Sequence, residues 1–303
     1  MRRTSGLVAG LSFALLACAL AQSSSAAEST AVPGAKSGFV TTTDGVKIHY
    51  LEAGQGPAML FVPGWTMPAW IWEHQIAHFS RTHRVVAMDP RSQGDSDKPT
   101  EGHFPAARAR DIKAVIDALN LSPVVLVGWS MGVTETVAYV DEFGTDSLAA
   151  LVMVDGFAGS DFDPVQSPRM LRWANSFQLD RPKAVDAFVR GGLYVNPEIK
   201  QDEDYIRRVV DASLKTPTNS AMALLLAYFA TDLRPALAKI DKPALIVVAQ
   251  SPWMKYYQEL HQMTPGSRLE VFEGVGHALF ADDPARFNSL LEEFLLGLSA
   301  RKN

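Results

Sequence analysis

Residues 124–132 of the chain read VVLVGWSMG: four apolar residues, followed by a serine within a G-x-S-x-G motif. The apolar residues predict a short buried strand, and the spacing of residues 131–143 predicts a helix directly after it. A G-x-S-x-G motif between a strand and a helix is typical of a nucleophile elbow, the tight turn that presents a reactive serine at the end of a strand. Glycines suit such a turn because neighbouring chain approaches closely. The stretch therefore predicts an α/β fold with Ser130 as a candidate nucleophile.

Short apolar segments on both sides of this motif predict the rest of one sheet. They are rich in Val, Leu and Met at odd and even positions alike, as in parallel strands that helices cover on both faces. Segments with helical spacing, at about residues 69–80, 107–119 and 131–143, alternate with them, which is the order of βαβ units. The fold class predicted is α/β: a mainly parallel, eight-stranded sheet with helices on both faces and a helical cap insertion. Its strands are expected at residues 39–42, 47–51, 58–62, 84–88, 124–127, 148–154, 244–248 and 268–272.

The strand–helix alternation stops between residues 158 and 231, where helical spacing, many aromatic residues and several prolines occur together. We interpret residues 158–231 as a helical cap. The core then consists of residues 38–157 and 232–303, which form one α/β domain interrupted by the cap.

The first 27 residues are predicted to be a secretory signal peptide (1–27) rather than part of the fold. Arg2 and Arg3 form a basic start, and an apolar run of about a dozen residues follows, the usual length in such a signal. The run is shorter than the roughly 20 apolar residues of a membrane span. Small residues in an A-x-A pattern then offer cleavage sites before Gln22 and before Glu28.

Residues 28–37 are interpreted as a linker, the end of a stretch rich in Ala and Ser. Cys18 is the only cysteine and lies inside the predicted signal peptide, so no intramolecular disulfide is expected. The sequence predicts a periplasmic or secreted protein. Because residues 15–18 faintly resemble a bacterial lipoprotein signal, anchoring through a lipidated Cys18 is the less favoured alternative.

Composition excludes several classes of partner. The 303-residue chain has a formal net charge of −5 and no basic block, so nucleic acid and anionic membrane surfaces are not expected partners. The sequence shows no metal-spaced cluster of His, Cys and Asp, no dinucleotide fingerprint and no phosphate-binding loop. We therefore predict no cofactor and no metal, and a small molecule as the partner. The oligomeric state is left open.

A reactive serine needs a general base and donors for the oxyanion that forms. His277 follows the last predicted strand within a Gly-Val-Gly-His segment, which places it at the same edge of the sheet as Ser130. One oxyanion donor is expected to be the backbone amide of Met131, directly after the nucleophile. The other is expected in the loop after residues 58–62, at the backbone amide of Trp65.

With these motifs the chain resembles α/β-hydrolases of the esterase, BioH-like and cofactor-free haloperoxidase group over about residues 38–299. The likeness includes Pro63-Gly64-Trp65, where the family usually has His-Gly, and residues 89–96, DPRSQGDS, which are similar to the family's D-x-R-G-x-G-x-S. It also includes the elbow and the His277 loop. The resemblance implies a serine hydrolase that acts on an ester-type bond, and a serine nucleophile argues against haloalkane dehalogenase and epoxide hydrolase chemistry.

One departure concerns the third residue of the triad. Related enzymes usually carry the acid in the loop after the seventh strand, but residues 249–253 here read AQSPW, without a carboxylate. Some members of the fold place the acid after the sixth strand, where this chain has Asp155. We therefore predict Asp155 as the residue that orients His277, with Asp232 as the alternative.

The predicted substrate site is aromatic. Trp129, Phe157 and Trp173 are the candidate substrate-binding residues, because apolar pockets bury the apolar parts of ligands. The predicted function is cleavage of a carboxylic ester or lactone of a small, partly apolar substrate through an acyl-enzyme. Carbon–carbon bond hydrolysis, lyase chemistry and perhydrolysis on the same triad are the alternatives. A non-catalytic binding protein is a further one, supported only by the missing acid after strand seven.

Overall fold

The structure is a computed structural model that describes residues 32–159 and 167–300. The predicted signal peptide and residues 28–31 of the predicted linker lie outside the described residues. An eight-stranded sheet runs through the middle of the molecule. Its strands are β1 (Lys36–Thr41), β2 (Lys47–Ala53), β3 (Ala58–Val62), β4 (Arg84–Met88), β5 (Val124–Trp129), β6 (Leu148–Val154), β7 (Ala244–Ala249) and β8 (Arg268–Phe272).

The strands lie in the order β1-β2-β4-β3-β5-β6-β7-β8. The pairs β1–β2 and β2–β4 are antiparallel, whereas every pair from β4 to β8 is parallel. The predicted fold class, a mainly parallel eight-stranded α/β sheet, is confirmed. The predicted linker ends too late, however, because Lys36 and Ser37 already pair with β2 as the start of β1.

Helices cover both faces of the sheet. β3, β5 and β7 are buried at every position, and alternate side chains enter two separate apolar clusters: Phe61 belongs to one and Leu60 to the other. This is why the strands are hydrophobic at odd and even positions. In the described part of the chain the α-helices are α1 (Glu73–Phe79), α2 (Pro105–Ala118), α3 (Met131–Phe143), α4 (Ser167–Leu179), α5 (Arg181–Phe188), α6 (Pro197–Gln201), α7 (Glu203–Leu214), α8 (Thr218–Ala230), α9 (Arg234–Leu237), α10 (Met254–Met263), α11 (Leu279–Asp282) and α12 (Pro284–Ala300).

Two further helical turns have other geometries. A 3₁₀ turn, Ala69–Trp72, precedes α1, so that one predicted helix is divided in two, and a π-helical turn, Val189–Leu193, follows α5. Helices α4 to α8 lie between β6 and β7 in the chain, within the range predicted as the cap. No helix among residues 32–159 and 167–300 combines the length and the apolar character needed to cross a membrane.

The carboxyl ends of the parallel strands position the site. β3, β5, β6 and β8 all run in the same direction. The segments that follow them therefore emerge at one edge of the sheet, which is where ligands bind in open α/β sheets. These segments carry Trp65, Ser130, Asp155 and His277.

Candidate active site

Ser130 lies in a strained turn between β5 and α3. Its backbone has φ 57° and ψ −119°, a conformation that non-glycine residues rarely adopt. A Cβ atom on Gly128 would lie 2.4 Å from the carbonyl oxygen of Gly132, and one on Gly132 would lie 2.6 Å from that of Val62. Both motif positions therefore require glycine for steric reasons, and the turn presents the Ser130 hydroxyl above the sheet.

Ser130, His277 and Asp155 form a hydrogen-bonded series. The distance from His277 Nδ1 to Asp155 Oδ2 is 2.6 Å, and that from His277 Nε2 to Ser130 Oγ is 2.8 Å. A carboxylate only accepts, so Nδ1 carries the proton that it donates to Asp155, and Nε2 of the neutral ring accepts from the serine hydroxyl. The structure thus brings together the three residues that the sequence predicts as a triad, in the geometry of a nucleophile, a base and an orienting acid.

Asp155 is held in place from neighbouring elements. Its side chain is buried, and its Oδ1 accepts from the backbone N–H of Ala249, at the end of β7, at 2.8 Å. The hydroxyl of Tyr257 also hydrogen-bonds to Asp155. Burial and the nearby Asp155 charge raise the pKa of Tyr257 well above its ordinary value, so it stays protonated and donates. Sequence reasoning missed Tyr257, which is the fourth residue of α10, an ordinary amphipathic helix.

The two residues predicted to supply the oxyanion donors, Met131 and Trp65, lie beside the nucleophile. Met131 is the first residue of α3, so its N–H has no acceptor within the helix. The loop that contains Trp65 packs against Ser130, since a Cβ atom on Gly64 would lie 3.0 Å from Ser130 Cβ. Both Trp65 and Met131 line the cavity above Ser130. The structure therefore places both predicted donor residues next to the serine hydroxyl.

A cavity of about 1000 Å³ opens above Ser130 and is bounded mainly by aromatic and aliphatic side chains. Phe157 and Trp173, two of the predicted substrate-binding residues, line it. Aromatic contacts extend along its walls: the Phe157 and Tyr228 rings stack at 5.8 Å, and the Trp65 and Trp173 rings are 6.1 Å apart. Further lining residues are Arg172, Phe188, Leu225, Tyr228, Phe229, Trp253 and Val275.

A family profile described as the alpha/beta hydrolase fold matches residues 57–284. This chain belongs to that family. It is similar to the non-heme chloroperoxidase of Streptomyces lividans, with 28% identity over 279 residues, 85% of this chain and 99% of the relative. It is also similar to the bifunctional esterase/perhydrolase DCH of Acinetobacter calcoaceticus, with 26% identity over 280 residues that cover 85% of this chain and 99% of that protein.

Among solved structures, the esterase from Exiguobacterium antarcticum superposes with a TM-score of 0.78 and 25% identity, covering 84% of this chain and 98% of that one. These similarities confirm the resemblance to the esterase and haloperoxidase group of α/β-hydrolases. They also confirm that the chain is a hydrolase.

In this hydrolase, hydrogen bonds with two other residues hold the loop that carries His277. The Trp129 indole Nε1–H donates to the His277 carbonyl at 2.9 Å, and Asp282 Oδ2 accepts from the Gly276 N–H at 2.6 Å. Trp129 is only 1% exposed and does not line the cavity. The structure therefore does not bring Trp129, predicted to bind substrate, together with the cavity-lining residues: its ring lies beneath the histidine loop and supports it.

Asp232, the alternative acid, forms an ion pair with Arg234 and has no contact with His277 among the described residues. Its Oδ2 is 2.7 Å from Nη2 of Arg234, which also reaches Glu259 at 2.9 Å. Hydrogen bonds from Arg234 lower the pKa of Asp232. The carboxylate thus fixes the chain where it returns from the cap to the sheet, and Asp155 is the acid that contacts His277.

Three potential metal ligands, His49, Asp89 and Asp95, have side-chain atoms within 4.8 Å of one another. The side-chain atoms that could bind a metal already take part in hydrogen bonds. His49 Nδ1 is 2.7 Å from Asp89 Oδ2, and Asp89 also accepts from the backbone N–H groups of Ala69 and Asp95. We interpret this group as the support of the turn after β4 rather than as a metal site.

Proposed function

We propose that this hydrolase cleaves an ester-type bond, a carboxylic ester or a lactone, of a small and partly apolar substrate through an acyl-enzyme. The observation that carries the proposal is the Ser130–His277–Asp155 hydrogen-bond series, which faces an aromatic cavity that Trp65 and Met131 also line.

The geometry suits nucleophilic acyl transfer. As Ser130 Oγ attacks the carbonyl carbon, His277 Nε2 takes the hydroxyl proton, and Asp155 stabilises the imidazolium that forms. The oxyanion lies against the N–H groups of Met131 and Trp65. His277 then gives the proton to the leaving alcohol. A water molecule, deprotonated by the same nitrogen, hydrolyses the acyl-enzyme and restores Ser130.

The cavity supports an apolar or aromatic substituent on the ester. Its walls carry aromatic rings from the sheet edge, such as Phe157, and from the cap, such as Trp173 and Phe188. Burial of apolar substrate surface against such walls contributes about 25 cal/mol per Å². We therefore expect KM to fall as the acyl chain or aryl group lengthens, until the cavity is filled.

Perhydrolysis is the second candidate, and the relatives favour it. One relative is named a non-heme chloroperoxidase and another an esterase/perhydrolase. If hydrogen peroxide replaces water in the second step, the same acyl-enzyme yields a peracid and regenerates Ser130. Both reactions share the first half, so a substrate panel with and without peroxide separates them.

The test combines a serine-directed probe with substrate turnover. A fluorophosphonate should label the wild type at one site, Ser130, and p-nitrophenyl esters of graded length together with simple lactones should report turnover. Ser130→Ala should lose labelling and at least about 10³-fold in kcat, because only the nucleophilic oxygen is removed. A wild type that is not labelled would favour a binding protein, and a variant that keeps more than about a tenth of the activity would exclude Ser130 as nucleophile.

A further inference from the structure

The loop after β3 carries the Trp65 amide and has an unfavourable backbone. Thr66, the next residue, has φ 61°. This left-handed conformation is strained for a β-branched residue. Such a conformation persists only where surrounding groups impose it. The position of the Trp65 N–H therefore depends on what holds the loop.

The buried side chain of Gln93 forms hydrogen bonds with this loop on both sides of Trp65. Its Nε2 donates to the carbonyl oxygens of Gly64 at 3.0 Å and Met67 at 2.8 Å, and its Oε1 accepts from the Thr66 N–H at 3.1 Å. Gln93 is fully buried. Three hydrogen bonds from one amide thus fix three of the four loop residues that follow Pro63.

A buried arginine fixes the orientation of that amide. Arg108 Nη2 donates to Gln93 Oε1 at 2.5 Å, and its Nη1 donates to the Arg91 carbonyl at 2.6 Å. A guanidinium has only donors, so the oxygen of the Gln93 amide must face Arg108 and its NH₂ must face the two loop carbonyls. The reverse orientation would place donors against donors.

The same arginine connects the loop to the helix that carries the other donor. Arg108 Nε donates to Glu135 Oε1 at 2.9 Å, and both side chains are buried. Glu135 belongs to α3, which begins at Met131. A continuous buried series, Glu135–Arg108–Gln93, therefore joins α3 to the Trp65 loop behind the nucleophile.

We propose that Gln93, oriented by Arg108, is a positioning residue that holds the Trp65 N–H in register with the Met131 N–H, so that the oxyanion hole exists before substrate binds. The inference rests on the proposed acyl transfer at Ser130. The stretch at residues 89–96 would thus position the oxyanion loop. Gln93 acts through that loop and contacts neither the substrate nor the reacting atoms. Its effect should appear in stabilisation of the transition state rather than in substrate binding.

The test replaces the Gln93 amide without changing the volume of the side chain. Gln93→Met removes both donors and the acceptor. We expect kcat on a p-nitrophenyl ester to fall on the order of 10–100-fold, less than the 10²–10³-fold for loss of an oxyanion donor, because the Trp65 N–H is displaced and not removed. KM should change less than about threefold, since ground-state binding is unaffected. Affinity for phenylboronic acid, whose tetrahedral adduct on Ser130 places an oxygen in the hole, should fall in proportion to kcat.

A matched control is available in Gln75, another fully buried glutamine whose Nε2 donates to the Phe280 carbonyl and to Asn288. Gln75→Met should lower the melting temperature in the same way as Gln93→Met but leave kcat and boronate affinity near wild type. If Gln93→Met behaves like this control, with kcat and boronate affinity kept within about twofold of wild type, the proposal is overturned.

A second variant covers the case in which Gln93→Met does not fold. Arg108→Lys keeps a cation beside Glu135 but loses the fork that reaches Gln93 and the Arg91 carbonyl. It should reproduce the loss of kcat and of boronate affinity with little change in KM, and unchanged kcat and boronate affinity in a folded Arg108→Lys enzyme would refute the proposal. A wild type that does not turn over esters would instead point to failure of the proposed function, which separates the two outcomes.

Discussion

Asp155 reaches His277 from the end of β6, and the structure shows why the end of β7 needs no carboxylate. β6 and β7 are neighbours in the sheet, and the Ala249 N–H at the end of β7 donates to Asp155 Oδ1. The position that usually supplies the acid in related enzymes thus supplies a donor that orients the acid. Asp155 itself has φ 43°, an unfavourable backbone geometry at the position that aims its side chain.

This arrangement predicts the effect of Asp155→Asn. The amide would present either a donor or a weaker acceptor to His277 Nδ1, so the ring would lose the tautomer that leaves Nε2 free to accept the Ser130 proton. We expect kcat to fall on the order of 10⁴-fold, as for the equivalent change in a triad enzyme. Steady-state kinetics on a p-nitrophenyl ester measures the loss. Asp232→Asn is the control and should keep wild-type kcat. Its half-exposed ion pair contributes about 1 kcal/mol or less to stability, so the variant should remain folded. Near-normal turnover in Asp155→Asn would exclude Asp155 as the acid.

The sequence predicted which residues gather at the site better than it predicted where each side chain points. Ser130 and His277 could be placed because each follows a strand whose direction is known from the alternation of strands and helices. The orientation of Trp129 could not be predicted, because neighbours in a strand or elbow face opposite ways and only tertiary packing shows that its ring turns under His277. Gln93 and Tyr257 could not be found, since the groups that give them their roles, the Trp65 loop and Arg108 for Gln93 and Asp155 for Tyr257, lie 15 or more residues away along the chain.

At the scale of elements, α2 and α3 are joined by a buried ion pair that carries an unsatisfied atom. Glu135 Oε1 accepts from Arg108, but Oε2 has no hydrogen-bond partner among the described residues. Burial raises the pKa of Glu135 to about 7, although Arg108 lowers it and Asp111 adds a further increase. Glu135 is therefore a group whose protonation changes between mildly acidic and neutral pH.

The pKa of Glu135 predicts how stability depends on pH. The folded protein binds this proton more tightly than the unfolded chain, in which the glutamate has its ordinary pKa of 4.5. The contribution to stability is therefore complete below about pH 4.5 and is lost as pH rises towards 7. At about 1.4 kcal/mol per pKa unit, it amounts to a few kcal/mol at most. Urea unfolding of Glu135→Gln from pH 5 to 7 should show a smaller fall in the free energy of unfolding than the wild type shows.

A matched change at the surface controls for the loss of a glutamate. Glu142 pairs with Arg110 at 3.1 Å, and both side chains are substantially exposed. Glu142→Gln should therefore leave the pH dependence of stability as in the wild type. If Glu135→Gln also leaves it unchanged, the Glu135 proton is not taken up on folding.

The ends of strands and helices could be predicted where the local sequence pattern alone determines them. β3, β4 and β6 begin and end at the predicted residues, because apolar runs bounded by turns define buried strands. β8, which is only partly buried, also has the predicted bounds. The segment at residues 69–80 was predicted as one helix, but it starts as a 3₁₀ turn after Pro68 and becomes α-helical only at Glu73. β1 begins inside the predicted linker because pairing with β2, and not local composition, orders Lys36 and Ser37. Tertiary pairing of this kind is not encoded in a short stretch of sequence.

At the scale of the whole molecule, the fold depends on its apolar core and not on covalent links. Two large apolar clusters lie on opposite faces of the sheet. The only cysteine, Cys18, belongs to the segment interpreted as a signal peptide. A chain that has lost this segment would contain no thiol and would fold alike in oxidising and reducing compartments, which is compatible with export before or after folding.

We propose that the protein is exported and that its mature chain begins at Gln22 or Glu28. Either start removes the basic and apolar residues that would otherwise precede the enzyme, and it retains Val32, which is buried against the core. A chain starting at Glu28 should therefore have the same melting temperature and kcat as one starting at Gln22, because both keep all of residues 32–159 and 167–300. N-terminal sequencing of protein from the periplasm or medium identifies the start. A lipidated Cys18 at the N-terminus would refute the soluble form in favour of an anchored one, and a mature chain that still begins at Met1 would refute export.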